Sequence, residues 1–265
     1  MTDLTALDAA NAALQASPTV AKATKDYGNA ATAAIHALAG GPAQPPAGSW
    51  QVAPPINPPP PLTNPTGPGV NLYNASSPQV VADTIVVGGG DSAYLVQPGA
   101  PGRTIQRCEA LDVALQSAVS YGKHAIYAKA ANLTVLDFYA TASKYAANGL
   151  SVRYGDFLGQ RCQLDGFPIP LAVFADDTTA GKVTWRQVRG VFTNVGVWLD
   201  VDEDAKMVYD VVLDQVALTG PGNVFLNANS KVFAGTVTIS ACTLNGKPVT
   251  AANVTNVTAS ALHIS

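Results

Sequence analysis

The strongest constraint on this chain is a short pattern that returns four times in its last third, Lys182 to Ser265. An apolar or small residue is followed by another two places on, a third three places further, and a fourth two further. It runs Val183-Trp185-Val188-Gly190, Val211-Leu213-Val216-Leu218, Val237-Ile239-Cys242-Leu244 and Val257-Ala259-Leu262-Ile264. The two-residue steps are strand periodicity, which sends alternate side chains to one face. The three-residue step breaks the alternation at the same place in every copy. A corner in the backbone does this, because side chains on both sides of it still point inward. Successive copies begin 28, 26 and 20 residues apart, within the range of one coil of a solenoid. Equivalent corners stack if each coil returns above the last. The apolar runs between copies, Val195 to Leu199 and Val224 to Leu226, supply further faces. The expected fold is mainly β: an N-terminal α segment, then a right-handed parallel β-helix in the C-terminal part. The competing fold is an antiparallel β-sandwich, whose short strands and turns look similar at this length.

Composition narrows the surface and the partners. Only 12% of the 265 residues are charged, about half the usual share, so hydroxyls and amides must carry much of the solvation. A net charge of -3 gives no electrostatic reason to expect nucleic acid or an anionic membrane. The three cysteines, Cys108, Cys162 and Cys242, are far apart and odd in number, as expected of reduced, buried thiols. Met1 to Thr5 lacks the basic and apolar regions of a secretory signal. No stretch is long and apolar enough to predict a membrane helix.

Taken in order, residues 1–40 are expected to be helical. Leu4, Leu7, Leu14, Val20, Tyr27 and Leu38 form a narrow, alanine-flanked seam suited to docking or oligomerisation. Residues 41–78 read as a proline-rich extended arm, a semi-rigid polyproline spacer, with Trp50, Val52, Ile56, Leu62, Leu72 and Tyr73 as anchors along it. Residues 79–181 read as a mixed α/β region that leads into and caps the solenoid. The spacing of Leu111, Leu115, Ala118 and Val119 predicts a helix over Glu109–Tyr121, stopped by Gly122 and followed by a strand, His124–Ala128. Thr134 to Ala147 predicts a second helix through Val135, Phe138, Tyr139, Ala142 and Tyr145. Residues 182–265 are the solenoid.

The helix Glu109-Ala110-Leu111-Asp112-Val113-Ala114-Leu115-Gln116-Ser117-Ala118, followed by a glycine and a short strand ending in Ile126-Tyr127, resembles the start of pectate-lyase-like β-helix proteins. In that family an amphipathic helix caps the open end of the solenoid. The resemblance covers roughly residues 104 to 265 and is one of pattern. It implies either a bacteriophage-type spike, fibre or decoration protein, or a polysaccharide lyase or glycoside hydrolase. The first is the expectation here: a virion component made in a host cytoplasm, attached by its N-terminal region and projecting a β-helix. Its expected partners are its own copies (a homo-oligomer, a trimer being the size suggested), other virion proteins and a host-surface glycan.

Candidate chemistry is sparse. Asp200-Val201-Asp202-Glu203-Asp204 and Asp176-Asp177 read as solvated acidic turns, the first lacking the glycine and distant glutamate of a calcium loop. Arg186, Asp214 and Ser240 occupy one outward column, which favours a surface ion pair. His36, His124 and His263 lie in separate regions, so no triad or metal cluster is expected. Gly88-Gly89-Gly90 lacks phosphate-loop spacing and reads as a turn. Asn223, Asn227, Asn229, Asn245, Asn253 and Asn256 are expected to satisfy backbone groups at corners. No catalytic residue, metal or cofactor is predicted.

Overall fold

The computed structural model describes residues 50–89, 92–114, 123–129, 132–146, 148–174, 181–200, 209–229, 233 and 235–265. The expected N-terminal helices, their seam and the acidic positions 176, 177 and 202–204 lie outside the described residues. From Trp50 to Ser265 the chain forms a single unit, a right-handed parallel β-solenoid of about seven turns.

Each turn contributes to two sheets. The larger holds twelve strands, among them Thr104–Val113, Leu133–Ala142, Phe157–Phe167, Gly181–Phe192 and Tyr209–Thr219. The smaller stacks eight, among them Tyr94–Val96, His124–Ala128, Asn148–Val152, Ile169–Phe174 and Val197–Asp200. Every pairing between turns is parallel. The single antiparallel pair among the described residues is the local Thr243–Leu244 with Lys247–Pro248, so the sandwich alternative is excluded.

The corner expected from the three-residue step is a backbone feature of the long strands. Gln187 and Gln215 adopt φ 54° and 56°, and Ala241 takes φ 49°. These residues are skipped by the pairing: Arg186 meets Asp214 and Val188 meets Val216, with no partner between. A left-handed residue costs about 1 kcal/mol or more when it is not glycine. Here the parallel neighbours above and below hold it.

The structure corrects the sequence reading in four places. The solenoid starts with the strands Leu62–Thr63 and Val70–Leu72, so the last part of the proline-rich stretch is already its first turn. The first half of the expected helix Glu109–Tyr121 is strand, within Thr104–Val113. It is paired to Ile85–Val87 on one side and to Leu133–Ala142 on the other. The second expected helix is strand as well, within Leu133–Ala142. In both cases two-sided ladder bonding outweighs local helical periodicity. Among the described residues the helical content is one short 3-10 turn, Ala251–Asn253. Fourth, the last copy of the pattern is out of register. Leu262 and Ile264 stack on Val237 and Ile239, while Val257 bridges to Phe233.

The interior is a set of columns running along the solenoid. Val183, Trp185, Val188, Val211, Leu213, Val216, Leu218, Val237, Ile239, Cys242 and Leu244 are buried. Val257 and Leu262 are half-buried and Ile264 is exposed, because they lie in the final turn. Gly190 completes the first copy for a steric reason. A Cβ there would lie 2.1 Å from the Leu164 carbonyl oxygen of the preceding turn. The same columns continue into the earlier turns through Phe157, Cys162 and Leu164, then Leu133, Val135, Phe138 and Ala140, then Ile105, Cys108 and Ala110, all buried. Each large side chain removed from water contributes about 1.5–3 kcal/mol.

Candidate functional site

The corners form a ladder up the outside of the solenoid, one residue per turn: Asp83, Arg107, Asp137, Arg161, Gln187, Gln215 and Ala241. All seven have φ between 49° and 56°. The first four alternate in charge and pair. Arg107 donates from Nε to Asp83 Oδ1 at 2.7 Å and from Nη2 to Oδ2 at 2.8 Å. Arg161 donates to both oxygens of Asp137 at 2.7 Å. The left-handed backbone places consecutive corner side chains one above the other, so each guanidinium reaches the carboxylate of the turn before in fork geometry. Gln187 continues the stack by donating to Gln215 Oε1 at 3.4 Å.

A strap lies on this ladder. It is the proline-rich segment Trp50–Pro61, and it runs back along the solenoid towards the first turn. The Trp50 ring stacks on the Arg189 guanidinium at 5.3 Å, the Ala53 N–H donates to Asp137 Oδ1 at 3.2 Å, and the Ile56 N–H donates to Asp83 Oδ1 at 2.8 Å. The contacts recur at every third residue of the strap and every second turn of the solenoid. Polyproline-like chain advances about 3.1 Å per residue with three residues per turn, so three residues span about 9.3 Å. Two strand spacings span about 9.6 Å. The two repeats match, which explains why carboxylates stand at alternate corners with arginines between them.

The electrostatics follow the contacts. Arg107 and the Ile56 N–H hold the Asp83 carboxyl down to about 2. Burial alone would raise Asp137, but Arg161 and the Ala53 N–H keep it below its ordinary value. Both carboxylates are therefore fixed as acceptors, and the guanidiniums remain charged.

All three cysteines occupy one interior column, immediately after the corner: Cys108, Cys162 and Cys242 follow Arg107, Arg161 and Ala241. They are free and buried. Each thiol donates to the carbonyl just before the corner: Gln106 O at 3.3 Å, Gln160 O at 3.7 Å and Ser240 O at 3.3 Å. Burial pushes Cys162 up to about 12 and Cys242 up to about 11. They are donors for corner carbonyls, not nucleophiles.

Beside the ladder, the outward column Glu109, Tyr139, Gln163, Arg189 is set by register. Gln163 accepts from Arg189 Nε at 3.0 Å and donates to Asp165 Oδ2 at 2.7 Å. Burial raises the carboxyls of Glu109 and Asp165 and lowers Arg189.

On the smaller sheet, His124 Nδ1 lies 2.8 Å from Ser151 Oγ and 3.3 Å from Asn148 Nδ2. The Tyr127 ring stacks on the imidazole at 4.3 Å, and Phe174 meets it edge-on. The grouping has the residue types of a nucleophile and base, but Ser151 is fully buried. Burial, with Lys129 nearby, holds His124 down to about 3, so it is neutral and a poor base. It is a buried polar tie between turns.

The other sequence candidates fall as follows. Arg186 pairs with Asp214 at 2.9 Å, and Ser240 donates to the same carboxylate. Asp200 accepts from Asn229 at 3.2 Å. Asn245 spans Gly220 by donating to its carbonyl and accepting from its N–H. Asn253 donates to Asn223 O, and Asn256 to Asn229 O. These asparagines satisfy backbone groups at corners. Among the described residues no group of three or more His, Cys, Asp or Glu is placed to hold a metal. Sequence reasoning missed the ladder, although an Asp or Arg inside the three-residue step at positions 107, 137 and 161 was its visible trace.

Compared with protein-family models, with curated proteins and with solved structures, the chain gives no significant match to any of them.

Proposed function

We propose that this protein is a structural component of an assembled particle, a spike, fibre or decoration subunit of the bacteriophage type. Its N-terminal region attaches to the particle and its β-helix projects. The observation that carries this reading is the strap. A free linker lets two parts move independently. Here the segment that follows residues 1–49 is fastened at Trp50, Ala53 and Ile56 across five turns of the ladder. Force applied at the N-terminal side is thus delivered along the solenoid wall instead of to its first strand, as an attachment under load requires. The parallel β-helix supports the same reading. Homo-oligomers and other virion proteins are the partners it calls for, with a host glycan as the contact of the projecting part.

One specific observation favours a second reading, a polysaccharide lyase or hydrolase. Glu109 and Asp165 share the outer wall beside Tyr139 and Arg189, and both carboxyls are raised by burial, as a general acid requires.

Density-gradient fractionation of a lysate that makes the protein at natural levels tests the first reading. The chain should sediment with particles at fixed stoichiometry, and a chain found only in the free fraction sinks it. Cleavage of a polysaccharide panel that disappears in Glu109→Gln would establish the second.

A further inference from the structure

We infer that the first-turn end of the solenoid is a contact surface between two copies of this chain, packed end to end about a two-fold axis. This does not depend on the virion reading. Six large apolar side chains are conspicuously exposed among the described residues, and four of them gather at this end: Ile56 (61%), Leu62 (43%), Tyr73 (66%) and Val80 (50%). Both sheets stop there. Leu62–Thr63 pairs with Ile85–Val87 alone, Val70–Leu72 with Tyr94–Val96 alone, and Val80–Ala82 with Thr104–Val113 alone.

Charge points to a second copy as the occupant. No Lys, Arg, Asp or Glu occurs between Asp26 and Asp83, in a chain that carries 15 basic and 18 acidic residues. Depletion of charge is the compositional mark of interface centres. An isologous contact sets each patch against itself, so any net charge there would repel its own image. The four exposed side chains are uncharged; Asp83 beside Ile56 is paired with Arg107, and Arg103, which bonds to the Asn74 and Ala75 carbonyls, is buried.

Proline decides the mode of contact. Exposed sheet ends are normally guarded by charge or proline against strand addition. Pro58, Pro59, Pro60, Pro61, Pro65, Pro68 and Pro78 surround these strands, and a proline has no N–H to give to an added strand. The strands at this end are only two or three residues long and flanked by proline, which disfavours β-addition and leaves side-chain packing as the mode of contact. That combination suits a closed dimer and opposes a growing fibre.

The test is the solution mass of the full-length 27.2 kDa chain beside the double variant Tyr73→Lys/Val80→Lys. The wild type should be an even multiple of the monomer, and the variant half the wild-type mass with an unchanged far-ultraviolet spectrum. Ile56→Lys should shift the mass in the same direction if the double variant fails to fold. Val191→Lys, on an exposed side-wall residue, should leave it unchanged. A monomeric wild type, an odd multiple, a variant of wild-type mass, or halving by Val191→Lys each overturns the proposal.

Discussion

The first four corners and the last three have one backbone and two chemistries. Asp83, Arg107, Asp137 and Arg161 carry paired charges and the strap; Gln187, Gln215 and Ala241 carry neither, yet all seven hold φ near 50°. Ala241 has no side chain with which to stabilise anything. The turn is therefore made by the interior columns and the parallel ladders on either side. The charges of the first half do a different task, which is to hold an extended segment against the wall. The comparison separates what folds a solenoid from what a solenoid can grip.

The largest effect should come from the interior of the later turns. Trp185→Ala should cost about 4 kcal/mol of unfolding free energy, read from denaturant midpoints. The side chain is fully buried between Gly159 and Leu213. Its Nε1 has no partner among the described residues, and an unmet buried donor costs about 1–3 kcal/mol. Trp185→Phe removes that donor while keeping most of the volume, so it should cost under about 1 kcal/mol. If Trp185→Ala proves as mild as a corner substitution, the interior is not what sets the turns.

The same division explains what was legible in the sequence. From Lys182 to Leu244 the inward positions are Val, Leu, Ile and Trp with one Gly and one Cys, so the two-three-two step stands out. In the earlier turns the same step runs Arg103-Ile105-Cys108-Ala110, Leu133-Val135-Phe138-Ala140 and Phe157-Gly159-Cys162-Leu164. There it is hidden by a buried arginine and by small residues. Arg103 is an interior member because its guanidinium bonds to the carbonyls of Asn74, Ala75 and Pro101 and to Gln79. No pattern of apolar residues announces that. Glu109 to Leu115 has helical spacing, and only the non-local partners Ile85–Val87 and Leu133–Ala142 make its first half strand. The strap was legible as extended chain but not as docked, because its fit depends on the corner spacing of turns far away in sequence.

A smaller effect separates the two sets of corners. Asp137 is largely buried and accepts from both Arg161 nitrogens and the Ala53 N–H. Asp137→Ala leaves that guanidinium and N–H without their acceptor. It should cost about 2 kcal/mol, and amide exchange at Ala53 should quicken. Gln187→Ala keeps the same φ with only the long contact to Gln215 lost, so its cost should fall within about 0.5 kcal/mol. Equal costs at the two positions would erase the distinction between a gripping corner and a bare one.

The smallest effect is local and depends on acid. The Asp83 carboxyl is depressed to about 2 by Arg107 and the Ile56 N–H. Its contribution is thus fully present above the ordinary carboxylate range near pH 4 and is lost as pH falls through about 2. His124 acts on the body instead. Its folded value is about 3 against an ordinary 6.5, so the unfolded chain binds more protons between those values and the solenoid weakens as pH falls from 6.5 to 3. Body and strap should therefore respond to acid in different windows, the strap last. The Ile56 amide resonance should titrate with a midpoint near 2 and lose that transition in Asp83→Asn. A midpoint near 4 would mean that the carboxylate is not held, and that the strap rests on Trp50 and Asp137 alone.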